Sequence, residues 1–384
     1  MKIMHTADLH IGKKLFEHSL MEDQKYILGQ MTELAISEQV DAVVIAGDVY
    51  DRPIPSTEAV EALDAFLTGL IQKGIQVFLI SGNHDSPERV AFAEQILEKQ
   101  GLYIAGNYEG GLKQVVLEDE HGPIHFVLMP FVKPAVTGCG TLSEAVEEML
   151  GHCPMTFDLG RRYVLVAHYF VTGEGGELPE LSDFETDVNV GGLDSVPAAY
   201  FRGFCYTALG HLHRPQQVGR GQVYYAGSPL KYSFSEANTD KSVNIVELGR
   251  FEVSVRRVPL KPMRELRCVK GRLSELISEE VRALQGEGRE DYLQVTLTDT
   301  EELIDPMSTL RSVYPNVLNL QFQRREQETG RVSEGGLSLE RKEIGQLFGE
   351  FYELLRGEPL DENRQEIVRE AARLAKAEPE EEPG

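Results

Sequence analysis

Asp8, His10, Asp48, Asn83, His168, His211 and His213 could hold metal ions, and His84 stands directly beside one of them with no ligand duty of its own. Carboxylates, one amide oxygen and imidazoles, with no thiolate among them, suit Mn²⁺, Fe²⁺ or Zn²⁺ better than Mg²⁺ or Ca²⁺, which prefer oxygen alone. Seven donors are too many for one ion but can serve two adjacent ions bridged by a shared carboxylate. Two divalent cations against two carboxylates leave the pocket net positive, so an anionic phosphate ester is drawn to it even though the whole chain carries −24. Such an ion pair lowers the pKa of a bound water and holds the non-bridging oxygens, and the departing alkoxide still needs a proton or a positive partner. His84 is the residue left for that task, and Asp85 could orient its ring or cap the helix that begins at Pro87.

Each of these residues stands where an apolar run stops. The run 2–4 leads into Thr6-Ala7-Asp8-Leu9-His10, 42–46 into Gly47-Asp48, and 75–80 into Ser81-Gly82-Asn83-His84-Asp85. Residues 163–167 end at His168, and 205–209 end at Gly210-His211-Leu212-His213. A single Gly-Asn-His-Asp is as readily an ordinary turn as a site. Five occurrences, taking in five of the ten histidines, point to chemistry instead. His5, His18, His121, His125 and His152 lack this context and read as surface or satisfied core residues. The near-continuous apolar run 75–80 predicts a strand covered on both faces, as in parallel sheets flanked by helices, with ligands beyond its carboxyl end.

Helical patterns over 19–37, 57–73 and 88–99 alternate with these runs, the βαβ rhythm of a layered α/β domain, with Ser56 and Ser86 as N-caps. Further strands are predicted at 114–117, 124–129, 222–226, 242–247 and 251–258, a helix at 142–150, and a long polar loop over 171–197. Residues 265–325 read β-α-β-α-β, enough for a small second α/β domain. Beyond the polar stretch 324–336, Ile344, Leu347, Phe348, Phe351 and Leu355, and then Ile367, Val368, Ala371, Leu374 and Ala375, recur at helical spacing, with Ser338 and Asp361 as N-caps. Domains are expected at 1–262, 263–330 and 331–384, the last ending in an acidic tail. Residues 250–272 hold eight Arg/Lys against two Glu, which reads either as a solvated linker or as a strip for phosphate contacts through Arg256, Arg257, Lys261 and Arg264. Four cysteines without a C-x-x-C pair, no basic apolar leader after Met1 and no bilayer-length apolar stretch lead us to expect a cytoplasmic protein without a membrane span.

The ordered set Asp8-x-His10, Gly47-Asp48, Gly82-Asn83-His84-Asp85, His168 and Gly210-His211-x-His213 resembles the five motifs of the calcineurin-like metallophosphoesterases. More narrowly, His5-Thr-Ala-Asp-Leu-His-Ile-Gly12, Gly47-Asp-Val-Tyr-Asp51 and Gly210-His-Leu-His-Arg-Pro-Gln216 resemble the SbcD family of bacterial nucleases, with matching domain order over nearly the whole chain. The resemblance implies a layered α/β/β/α sandwich with a small cap domain and a C-terminal helical pair. It further implies two Mn²⁺ ions, with Fe²⁺ or Zn²⁺ as alternatives, and ATP used only by a partner, an SbcC-type coiled-coil ATPase. Substrates would be double-stranded DNA ends, hairpins and single strands. By the same resemblance Asp48 bridges the ions, Asp8, His10 and His213 serve one, Asn83, His168 and His211 serve the other, and His84 is the catalytic histidine. A homodimer formed through helices of the phosphoesterase domain is also implied, the helices after Ser56 and Ser86 being the candidates. Archaeal and eukaryotic members usually carry, at the position of Asp51, a histidine linked to exonuclease action, so cleavage polarity does not transfer.

Two other readings compete. One is a phosphoesterase for small nucleotides or phosphoproteins, which would need neither a second domain nor terminal helices. The other is a DNA-end scaffold with a vestigial site, which the full set of seven donors opposes.

Overall fold

The computed structural model describes residues 1–153, 162–173, 175–180, 195–278, 286–301 and 303–323, with Tyr352, Arg364, Gln365 and Val368 besides. The chain divides into units Met1–Gln323 and Arg324–Gly384. Ser338, Asp361 and the apolar positions of the expected terminal helices lie outside the described residues apart from Val368, as does 181–194 of the long loop.

Two six-stranded sheets carry the first unit. One runs in the order Val253–Pro259, Ser242–Leu248, Lys2–Thr6, Ala42–Ala46, Gln76–Ile80, Leu102–Ala105, and its last four strands are parallel. The other runs Gln216–Gln217, Val223–Tyr225, Tyr206–Gly210, Arg162–His168, Gly122–Met129, Lys113–Asp119, with its four central strands parallel. The strands at the Val253–Pro259 edge of the first sheet and at both edges of the second are antiparallel to their neighbours.

Alternating side chains decide what each face meets. Val43, Ile45, Val77 and Leu79 pack with Ile27 and Met31 of the helix Met21–Ser37 and with Leu63, Phe66 and Leu70 of Thr57–Ile71. Val44, Ala46, Phe78 and Ile80 turn the other way and meet Phe126, Leu128, Val164, Val166 and Ala208 of the second sheet. Phe78 and Phe126 stack with centroids 4.0 Å apart at the centre of that layer. The outer face of the second sheet is covered by Val146 and Met149 of the helix Leu142–Gly151. The apolar run at 75–80 is therefore covered on both faces, but by helices on one side and a second sheet on the other. Period-two burial cannot tell these coverings apart, which is why the run by itself suggests helices on both faces. The result is the four-layer α/β/β/α sandwich that the resemblance implied.

The helix expected over 88–99 breaks into Pro87–Val90, Glu94–Leu97 and a 3₁₀ turn, with Ala93 in the left-handed region at φ 59°. Phe92 and Ile96 are exposed there and no residue of Glu94–Leu97 is buried, so no apolar stripe holds a longer helix together. Ser56 caps its helix by accepting from the Ala59 amide, whereas Ser86 only precedes its helix and donates to Glu88. The hairpin after residue 248 closes through Gly249 N–H to the Glu252 carbonyl.

Residues 266–322 form a three-stranded parallel sheet, Leu266–Gly271, Tyr292–Leu297 and Val317–Phe322, with helices Leu273–Leu276 and Pro306–Arg311. Its core is Leu293, Val295, Leu297, Leu310, Val313, Tyr314 and Val317. Asp23, buried on the helix Met21–Ser37, accepts from Arg264 and from the Tyr292 hydroxyl, both at 2.7 Å, and Glu22 takes the other Arg264 nitrogen at 2.9 Å. Arg256 pairs with Glu38 at 2.7 Å and Arg267 with Asp291 at 2.7 Å. Three cations of the basic strip are thus bound within the protein, and a phosphate-contact role for Arg256 and Arg264 would require breaking those pairs.

At the start of the interior strand Arg162–His168, the end away from His168, Arg162 joins the sheets. It makes a bidentate pair with Asp119 and donates to the carbonyl of Leu248 on the other sheet. The Arg162 guanidinium, helped by the N-terminal ammonium, holds the Asp119 carboxyl well below its ordinary range. A depressed carboxyl stabilises the fold above its unfolded pKa and loses that contribution as pH falls toward the folded value. Asp119→Asn should therefore lower the melting temperature at neutral pH, and the gap to the unaltered protein should close as pH falls below about 3.8. Melting curves across the acid range test this; a gap independent of pH would refute it.

Candidate metal centre

The five turns that carry the candidate residues meet at the carboxyl ends of the parallel strands of both sheets. They meet closely because glycine lets them. Gly47 has φ 86°, and a Cβ there would strike the imidazole of His168. A Cβ on Gly82 would fall on the Asp48 carboxylate and its own amide. Four of the candidates themselves lie in the left-handed region: Asp8 at φ 52°, His10 at 43°, Asp48 at 49° and His211 at 101°. Such conformations cost about 1–3 kcal/mol each and persist only where the surroundings over-determine them.

The surroundings do so through hydrogen bonds between turns. Asp8 N–H donates to the Gly47 carbonyl at 3.1 Å and His10 N–H to the Asp48 carbonyl at 2.9 Å. His211 N–H donates to the Asp8 carboxylate and His84 N–H to that of Asp48, each at 2.9 Å. Asp85 accepts from the amides of Val49, Tyr50 and Gly82 at 2.9–3.0 Å. It therefore neither orients His84 nor caps the helix at Pro87, the two roles its place in the sequence allows. Its carboxylate is consumed in holding two site turns together. The His84 ring is steered by another group, its Nδ1 donating to the Asp51 carbonyl at 3.2 Å.

The seven donors fall into two groups around Asp48. His10 Nε2 and His213 Nε2 face each other at 3.1 Å, with the Asp48 carboxylate 3.7 Å from His10, and oxygens and nitrogens of Asp8, His10 and His213 all lie within 4.8 Å of one another. On the other side the Asn83 amide oxygen is 3.0 Å from His168 Nε2 and 3.1 Å from His211 Nδ1, while the same Asp48 oxygen is 3.4 Å from His168. Cis donors on one ion, each about 2.1 Å from it, would lie about 3 Å apart, the spacing seen here. Asp8, His10, Asp48, His168 and His213 are buried, yet His10 Nδ1 has no hydrogen-bond partner. The donor set fits two divalent cations. Among the described residues a third group, His10, Asp51 and His84, also lies within ligand spacing.

Electrostatics without a cation show what the site is under pressure to accept. Burial raises Asp8 to about 7, against the pull of His168 and His213. Burial opposes ionisation of Asp48 too, but His168 and then His10 outweigh it and hold the carboxyl far below its ordinary range. Burial disfavours a charged His168, yet Asp48 and Asp8 carry it up to about 9. Burial holds His211 down at about 3, with His168 adding to the effect. The upward shifts at Asp8 and His168 show that burial leaves the two carboxylates wanting positive charge beside them.

Second partners orient the rings. His168 Nδ1 donates to the Ala46 carbonyl at 2.8 Å, which turns Nε2 toward the centre. His213 Nδ1 meets Glu236 at 3.2 Å. Gln24 bonds the His10 carbonyl at 2.7 Å and the Gly12 amide at 2.9 Å, and the Tyr232 hydroxyl donates to the Leu9 carbonyl. The sequence offers no signal for Gln24, Tyr232, Glu236 or the Asp51 carbonyl, which lie outside the five turns or act through backbone. His5 is fully buried between the Tyr206 hydroxyl and the Leu209 carbonyl, a satisfied core histidine.

The chain is similar to several known proteins. The calcineurin-like phosphoesterase profile matches residues 1–171, and the profile described as the type 5 capsule protein repressor C-terminal domain, SbcD_C, matches 262–355. A Staphylococcus epidermidis protein, the SbcD subunit of nuclease SbcCD, is 35% identical over 331 residues, covering 83% of this chain and 85% of its own. The protein of the same name from Staphylococcus saprophyticus is 32% identical over 376 residues, covering 96% of each. Among solved structures, a dimetal phosphatase from Danio rerio overlaps with TM-score 0.39 at 13% identity, covering 68% of this chain and 99% of that one.

Proposed function

Because the chain belongs to the SbcD family of nuclease subunits and is a metal-dependent phosphodiesterase with the calcineurin-like fold, we propose that it is the Mn²⁺-dependent nuclease subunit of an SbcCD-type complex. The observation that carries this reading is the pair of donor groups sharing Asp48. Asp8, His10 and His213 would hold one ion, Asn83, His168 and His211 the other, and Asp48 both. Once bound, the ions would supply Lewis acidity toward the phosphodiester and an activated water.

The chain's own residues do the rest. Asp85 fixes the turns of Asp48 and Asn83, so both donor groups keep their separation. His84, its Nδ1 engaged by the Asp51 carbonyl, is left to hand a proton from Nε2 to the leaving oxygen. DNA ends, hairpins and single strands would be cut, the duplex ends in concert with an SbcC-type ATPase that alone uses ATP. Residues 1–262 would form the phosphoesterase domain, 263–330 the cap and 331–384 the ATPase-docking segment. Among the described residues no helix is long and apolar enough to cross a membrane, and a cytoplasmic location is part of the proposal.

His84→Gln should cut Mn²⁺-dependent cleavage of a DNA hairpin about 10²- to 10⁴-fold while leaving both ions bound. Metal analysis beside the nuclease assay decides it: loss of bound Mn²⁺ would make His84 a ligand or a structural residue. Truncation before Gly336 should abolish co-purification with the ATPase and spare cutting of single-stranded DNA. Retained binding would disprove docking through 331–384. Ile54, Phe92 and Ile96, 70–78% exposed beside the helices proposed for dimerisation, offer an apolar contact. Phe92→Glu with Ile96→Glu should turn a sedimenting dimer into a monomer, and an unchanged sedimentation coefficient would remove this face from consideration.

A further inference from the structure

A buried lysine stands one residue removed from the centre. Lys241, 4% exposed, places its ammonium 2.8 Å from the His213 carbonyl, 2.8 Å from the Ser228 hydroxyl and 2.5 Å from Glu236 Oε2. Glu236, 3% exposed, presents its other oxygen to His213 Nδ1 at 3.2 Å. The same lysine's carbonyl accepts from Leu260 N–H, at the start of the segment leading to the small sheet.

Two ions withdrawn from water gain little net stability from their own attraction, and a well-packed apolar pair commonly does as well. The arrangement does something else. An ionised carboxylate only accepts hydrogen bonds, so facing Glu236 the His213 Nδ1 carries the proton and Nε2 offers its lone pair toward His10. Glu236 alone could rotate or withdraw. The ammonium holds it, and by bonding the His213 carbonyl at the same time it fixes ring and backbone of one donor to one point.

We propose that Lys241 and Glu236 are positioning residues for His213, setting the affinity of the ion held by Asp8, His10 and His213 while leaving the ion at Asn83, His168 and His211 untouched. This rests on the reading of His213 as a metal ligand. Neither residue touches substrate. Both act through the imidazole.

The test uses the full chain and Mn²⁺ alone, with bound ions counted by elemental analysis and by titration followed by electron paramagnetic resonance. Removing one partner strands the other's charge, so the informative variant is the doubly neutral Glu236→Gln/Lys241→Met, close in volume to the original pair. One of the two Mn²⁺ should weaken about 10- to 100-fold, the second should bind as before, and the metal-free melting temperature should stay near that of the unaltered protein. Two ions held at unaltered affinity would overturn the proposal. So would loss of both ions together with a lowered metal-free melting temperature, which would mark a purely structural role. His213→Ala, measured in parallel, separates the two readings. If it retains both ions, the ligand assignment of His213 fails and this inference with it; if it loses one while the double variant loses none, only this inference fails.

Discussion

Two carboxylates, Asp8 and Asp48, sit out of water within a few ångströms of three imidazoles, those of His10, His168 and His213, and the rest of the structure is arranged to make that tolerable. An uncompensated buried carboxylate is expensive. Here compensation comes from backbone amides aimed at the carboxylates, from the imidazoles and, in the working protein, from cations. Each of these needs its neighbour within hydrogen-bond distance. That requirement explains the glycines at the turn necks and the left-handed backbone at Asp8, His10, Asp48 and His211. It also explains why Asp85 is spent entirely on amides.

How much of this can be read from sequence depends on whether a residue acts through its own side chain at a strand end. The five apolar runs and the donors beyond them are legible because strand period and polar punctuation are local properties. The β-α-β-α-β order of the small sheet is legible for the same reason. The second sheet that covers Phe78 and Ile80 is not, because an apolar residue is the same whether it meets a helix or a strand. The broken helix after Pro87 escapes the pattern because spacing shows which residues could share a face, and nothing local tells whether anything packs on that face.

Charge is the least legible property. Residues 250–272 look like an open cationic strip when counted along the chain, yet Arg256, Arg264 and Arg267 answer Glu38, Asp23 and Asp291. Two of those acids lie more than two hundred residues earlier in the sequence. The same holds for Glu236, whose part beside His213 no spacing rule would pick out, and for Asp51, which steers His84 with a carbonyl that every residue possesses.

The placement of the two donor groups has a mechanical side. Each draws from both sheets: Asp8 and His10 leave one sheet and His213 the other, while Asn83 leaves the first and His168 and His211 the second. Between the sheets lies an apolar layer, joined by side-chain packing and not by a hydrogen-bonded ladder. With the donor groups assigned as proposed, ions shared across that layer would act as rivets, pinning the register of one sheet against the other at one end, with Arg162 and Asp119 as a clasp at the far end. A force that shears the sandwich would then change the coordination geometry, and the centre would double as a gauge of the fold's own alignment.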